Sequence, residues 1–231
     1  MVTAEDIICI PLTEEEIFSC IEKAISFFSI ARRDNLRARH INIQFDCILR
    51  GYTGEYAMDK WLRQNGIESA ETNIITDGEN IDIDFLYRGA NMELKTSMLP
   101  YTDGTLQKAV EKRDIKLIKR QPNIEDLKGD IHLQIFFNQR RKAKDDWLLT
   151  REIDIERAST LNIYDTLLAR AYKATIFFVG WIDKRTLIST INLLLEKDRT
   201  WTFAGSKRDF WNCKIANCKK PEELPIYLKA L

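Results

Sequence analysis

Histidine is nearly absent: His40 and His132 are the only two in 231 residues. A His-rich metal site or a His-centred triad therefore has little raw material, although one imidazole can still serve as a base. Carboxylates and lysines must carry most of any chemistry. Cysteine is also sparse. Cys9, Cys20, Cys47, Cys213 and Cys218 are odd in number and form no CxxC, which argues against a disulfide framework and a zinc finger and predicts reduced, mostly buried thiols. No stretch approaches the roughly 18 uninterrupted apolar residues of a spanning helix. The opening MVTAEDIICIPLTEEE lacks the basic start, apolar run and small-residue cleavage site of a secretory signal, so a cytoplasmic location is expected. Only 9 Gly and 5 Pro, with no repeat or low-complexity tract, exclude collagen-like and linker-rich sequence.

What is present is an ordinary globular composition, with 45% apolar and 30% charged residues. Lys+Arg and Asp+Glu are 35 each, so any polyanionic partner must be met by a local basic surface. Thr13-Glu14-Glu15-Glu16 matches a capping box, and Ile17, Phe18, Ile21, Ala24, Ile25 and Phe28 follow at helical spacing to about residue 33. A polar patch with Arg32, Arg33, Arg37, Arg39 and His40 leads to a short apolar run and then to Arg50-Gly51-Tyr52-Thr53-Gly54-Glu55. A second helix is predicted from Glu55 to a left-handed stop at Gly66. Further on, a basic helix is predicted over 103–120, buried strands over 131–137 and 174–179, helices over about 151–172 and 184–196, and an aromatic hairpin in the tail. Helices and strands interleave throughout, which predicts one α/β domain with a mixed sheet.

Residues 81–96 change to a period of two. Ile81-Asp82-Ile83-Asp84-Phe85-Leu86-Tyr87 and Asn91-Met92-Glu93-Leu94-Lys95-Thr96 flank Arg88-Gly89-Ala90, which predicts a β-hairpin. A turn about Gly89-Ala90 sets Tyr87 opposite Met92, Leu86 opposite Glu93 and Asp84 opposite Lys95. Ile83, Phe85, Met92 and Leu94 then share one face, and Asp82, Asp84, Glu93 and Lys95 share the other. Clustered carboxylates repel unless a cation lies between them, and hard oxygen ligands at this spacing suit Mg²⁺. The expected chemistry is phosphodiester hydrolysis, with the Leu94 carbonyl as a further metal ligand and Lys95 orienting water or touching phosphate.

At these residues the sequence resembles the PD-(D/E)xK nuclease superfamily, with Asp82 or Asp84 as the first acid and Glu93-Leu94-Lys95 as the ExK element. Proximity to Lys95 favours Asp84 slightly. No Pro precedes the acid. In the resembled family a helix before the hairpin often contributes a Glu, which maps to Glu55 within GYTGE. The resemblance implies a restriction-endonuclease-like central mixed β-sheet flanked by α-helices. It further implies Mg²⁺ dependence, with Mn²⁺ able to substitute, and DNA cleavage by a homodimeric type II restriction endonuclease with a cognate DNA methyltransferase as functional partner. The single domain, 1–231, would comprise an N-terminal helical part (about 1–50), a catalytic core (about 51–180) and a C-terminal helix and strands (about 181–231). A junction-resolving or repair nuclease, and a catalytically inactive DNA-binding protein of the same fold, are the alternatives.

DNA contacts are expected from Lys108, Lys112, Lys116 and Lys119, which form one stripe if 103–120 is helical. A loop Asn138-Gln139-Arg140-Arg141-Lys142-Ala143-Lys144 adds amides and guanidiniums able to reach base edges. For each charge run the alternative is a solvated face. Trp201, Phe203, Phe210 and Trp211 could stack on bases, but core packing is the commoner use of such aromatics. His132, alternating with apolar neighbours, is expected to be a satisfied sheet residue.

Overall fold

The computed structural model describes residues 1–31, 39–71, 83–100, 103, 105–168, 175–203 and 208–231. β1 (Ile8–Ile10) precedes α1 (Glu14–Ala31), whose start carries the expected capping box: Thr13 N–H donates to Glu16 Oε2 at 2.7 Å and Glu16 N–H to Thr13 Oγ1 at 3.3 Å. α2 (Ile41–Gln64) is one continuous helix where the sequence predicted an apolar run and then a separate helix. Its buried positions Phe45, Ile48, Leu49, Ala57, Met58, Trp61 and Leu62 keep helical spacing straight through Gly51 and Gly54. His40 caps it, its Nδ1 accepting from Asn42 N–H at 3.4 Å, and Gly66 has the expected left-handed φ of 73°.

The sheet follows in β2 (Ala70–Glu71), β3 (Phe85–Tyr87), β4 (Ala90–Leu99), β5 (Ile131–Arg140) and β6 (Ile176–Asp183). Its six strands run in the order β1-β6-β5-β4-β3-β2, with β4 and β5 parallel and every other pair antiparallel. The parallel pair is joined through α3 (Leu106–Lys112). α4 (Arg141–Leu149), α5 (Thr160–Ile163), α6 (Lys184–Asn192), the hairpin β7 (Thr200–Phe203)–β8 (Arg208–Trp211) and α7 (Glu223–Lys229) complete the chain. A mixed α/β architecture with helices flanking a mixed sheet is thus what forms, and the tail hairpin is as expected.

Alternation along β4 separates two cores. Met92, Leu94 and Met98 pack with Ala57, Met58, Trp61 and Leu62 of α2 and with Leu224 and Leu228 of α7. Leu99 and Phe136 belong to a second core with Ala109, Val110, Ile115, Leu117 and Trp211. A third core joins α1, the first half of α2, Leu148 and Ile163. Phe85 and Met92 are fully buried cross-strand partners, each stabilising the fold by roughly 1.5–3 kcal/mol.

Three predicted elements differ. The helix predicted over 103–120 ends at Lys112, because Arg113 turns extended and its guanidinium takes Asp103 in a two-pronged contact at 2.6 and 2.5 Å. Beyond it, Ile115 and Leu117 alternate inward while Ile115 N–H and Lys119 N–H donate to the carbonyls of Cys213 and Asp209. The predicted loop over 138–144 is instead the end of β5 and the start of α4. Helix is absent from 151–158, and α5 starts where Ser159 Oγ accepts from Asn162 N–H at 3.2 Å.

Among the described residues no helix is long and apolar enough to cross a membrane. All five cysteines are free; Cys20, Cys213 and Cys218 are buried as expected, whereas Cys9 is exposed.

Candidate active site

The hairpin closes tighter than predicted. Arg88 and Gly89 take φ of 47° and 83°, the two positive values that a two-residue turn matching strand twist requires. Tyr87 therefore pairs with Ala90 and Phe85 with Met92, two positions away from the expected register. A shift of two keeps every side chain on its predicted face, which is why the acidic side survives. It also brings Asp84 level with Glu93 instead of Lys95. There Asp84 N–H donates to the Met92 carbonyl at 2.9 Å, and Asp84 Oδ2 accepts from Leu94 N–H at 2.6 Å. Leu94, expected to offer its carbonyl, thus meets the carboxylate through its N–H. Asp82 lies outside the described residues.

Glu93 is 6% exposed and is placed by the parallel pairing of β4 and β5 directly beside His132. Its Oε1 lies 2.8 Å from Lys95 Nζ and its Oε2 lies 2.8 Å from His132 Nδ1. Burial pushes the Glu93 carboxyl up, but the Lys95 charge and then the His132 hydrogen bond overcome it and hold the group at about 2. An ionised carboxylate only accepts, so His132 Nδ1 carries the hydrogen. His132 Nε2 is buried with no partner among the described residues. The expectation of a satisfied sheet histidine holds for one nitrogen only. No sequence signal pointed to this contact, because it depends on which residues of two parallel strands stand side by side.

The polar track continues along the same face. Gln134, beside Lys95 on β5, donates through Nε2 to the Lys95 carbonyl at 2.9 Å and to Ser97 Oγ at 3.3 Å, while its Oε1 accepts Lys116 N–H at 3.0 Å. Past Ser97 the strand ends in a cleft of about 440 Å³.

Glu55 stands apart from this track. It follows Gly54, where a Cβ would collide with Thr96 Cγ2, so α2 presses on the Leu94–Thr96 face and the Glu93–Lys95 side faces away. GYTGE is therefore a helix interior shaped by close packing, and Glu55 lies 3.8 Å from Lys23 of α1. Lys108 and Lys112 are exposed on α3, but Lys116 and Lys119 leave the predicted stripe: their ammoniums sit 4.8 Å from the Trp201 ring and 5.0 Å from the Trp211 ring. Asn138, Arg140, Arg141 and Lys142 are exposed, with Lys142 paired to Asp146 at 2.9 Å. Gln139 is buried, and so is Lys144, whose Nζ lies 3.5 Å from Asp46 Oδ1 and 3.1 Å from the Leu167 carbonyl.

No group of three or more His, Cys, Asp or Glu side chains among the described residues is arranged around a metal position. Mg²⁺ needs fewer, since it keeps several waters and takes one or two carboxylates. Asp84, immediately before β3, and Glu93 of β4, whose carboxyl is held ionised, fit that donor chemistry. Both Glu93 oxygens are engaged, so an ion would exchange with Lys95 at Oε1. Comparison with family models, curated proteins and solved structures finds no match to this chain.

Proposed function

We propose that this chain is a Mg²⁺-dependent DNA endonuclease of restriction-endonuclease-like fold, with Asp84, Glu93 and Lys95 at its centre and Asp82 as a further acid. The observation that carries the reading is the meeting of Asp84 with the Glu93-Leu94-Lys95 strand: Asp84 Oδ2 is 2.6 Å from Leu94 N, and Lys95 Nζ is 2.8 Å from Glu93 Oε1. Asp84 and Glu93 would hold the ion, which supplies charge neutralisation at phosphate and a more acidic water. Lys95, released from Glu93 Oε1, keeps a cation beside the reacting phosphate and orients the attacking water. Burial of Glu93 excludes bulk water, and the His132 Nδ1–H held at Oε2 favours the ionised carboxylate against that burial.

The fuller form of this reading is a homodimeric type II restriction enzyme. Two sites related by a two-fold axis would cut both strands of a short symmetric site, with a DNA methyltransferase as partner. A non-catalytic DNA-binding protein is the second reading, favoured by the closed Lys95–Glu93–His132 chain, which uses both carboxylate oxygens within the protein.

Incubating the protein with mixed plasmid and phage DNA, in Mg²⁺ or EDTA, separates them. Discrete fragments that need metal and vanish in Lys95→Ala support the endonuclease. Metal-dependent cutting of branched DNA, indifferent to linear sequence, indicates a junction-resolving enzyme. Binding without scission under every divalent ion leaves the binding protein.

A further inference from the structure

β4 and β5 run parallel, and their carboxyl ends open into the cleft beyond Ser97, the position in an open α/β sheet where ligands collect. Its volume of about 440 Å³ falls within the roughly 300–1,000 Å³ of small-ligand sites. Among the described residues Arg39, Arg50, Arg113, Lys116 and Arg141 line it, against one acid, Asp145. Arg50 and Arg113 are neutralised from behind by Asp46 and Asp103, and Arg141 is loosely held, 3.6 Å from Asp145, with a 48% exposed side chain. Burial pushes the Lys116 ammonium below its ordinary value, and the Arg113 charge beside it adds a smaller push that a bound anion would offset.

The cleft is also aromatic. Phe136 from β5 and Trp201 and Phe203 from the β7–β8 hairpin form its walls. Trp201 stacks on Phe210 at 4.9 Å and 18°, and its buried indole N–H has no acceptor among the described residues. Phe203 meets Trp201 edge-on at 6.4 Å and 83°, so it is not consumed by that stack. The Arg141 guanidinium lies over one face of the Phe203 ring, 5.8 Å from its centroid, so a cation suited to phosphate and an aromatic ring suited to a base stand side by side at the cleft.

We infer that this cleft binds a single unpaired nucleotide, its phosphate on Arg141 and Arg39 and its base against Phe203 and the Trp201 edge. The ligand is either a free nucleotide or a nucleotide splayed from a DNA strand. The assignment does not depend on cleavage, because it concerns the end of β4 and not the Asp84–Glu93 pair.

Equilibrium binding in EDTA, read by fluorescence anisotropy, tests it. The probes are a labelled short single-stranded DNA and the same strand in a perfect duplex, with deoxyadenosine monophosphate or inorganic phosphate as competitor. Single-stranded DNA should bind more tightly than duplex. Phe203→Ala should weaken it roughly 5- to 150-fold, the range of one lost base stack. Arg141→Ala should weaken it and lower the slope of log K against log salt by about one. Both side chains are partly exposed, so thermal melts should show both variants folded. Displacement by the mononucleotide but not by phosphate identifies a free nucleotide as ligand, and binding of the strand alone identifies a splayed one. Equal affinity for duplex, equal displacement by phosphate, or wild-type binding by both variants would overturn the inference. Since no metal is present, these outcomes are independent of whether the protein cuts DNA.

Discussion

The two faces of β4 are opposite in character. Met92, Leu94 and Met98 face a dry core closed by α2 and α7, while Glu93, Lys95 and Ser97 face a track of hydrogen-bonded polar groups that ends in a cationic cleft. A strand built on a period of two can be scaffold on one side and site on the other, because neighbouring residues never compete for the same space. The dry side fixes where the strand lies. The polar side can then bury an ionised glutamate, since its partners are held by the same rigid frame.

The largest expected effect falls on the polar side alone. Lys95→Ala should lower the proposed phosphodiester cleavage by roughly 10²–10³-fold, measured on plasmid DNA in Mg²⁺, while single-strand binding in EDTA stays near wild type. Loss of both together would mean that the track and the cleft are one unit.

Acid should strip the polar side next. Glu93 is held at about 2 when folded, below its ordinary 4.5, so its contribution is present above pH of about 4.5 and is lost as pH falls toward 2. This window is worth on the order of 3 kcal/mol at most. Urea unfolding of wild type and Glu93→Gln across that range should show the wild-type curve falling more steeply; parallel curves would remove Glu93 as the source.

Two glycines three positions apart probe the dry side with opposite signs. Gly54→Ala drives a Cβ into Thr96 Cγ2 and should destabilise by about 1–3 kcal/mol, read as a lower thermal midpoint. Gly51→Ala meets no heavy atom within 4 Å among the described residues, so helix propensity decides and stability should rise by about 0.5–1 kcal/mol. Equal shifts of either sign would show that α2 does not lie on β4 as described.

Much of this was readable in advance. The capping box at Thr13, the alternation over 83–95, the tail hairpin and the segregation of Asp84, Glu93 and Lys95 onto one face are local patterns set by period and by neighbouring residues. Contacts with partners distant in the chain account for most of the differences. A two-residue turn at Arg88-Gly89 moved the register by two, and GYTGE looked like a helix start although Gly54 is small because a strand distant in sequence presses on it. The basic run 108–119 has helical spacing, yet its second half leaves the helix because backbone partners at 209–214 are available there.

Sequence by itself determined which residues alternate, which caps close helices and which charges can share a face, since these follow from the chain's own geometry. Only the tertiary structure decided that Glu93 stands beside His132, that Glu55 lies behind the opposite face, and that Arg39, Arg141 and Phe203, far apart in the chain, line one cleft. Those pairings depend on strand order and parallel register, which set long-range neighbours that no local period encodes.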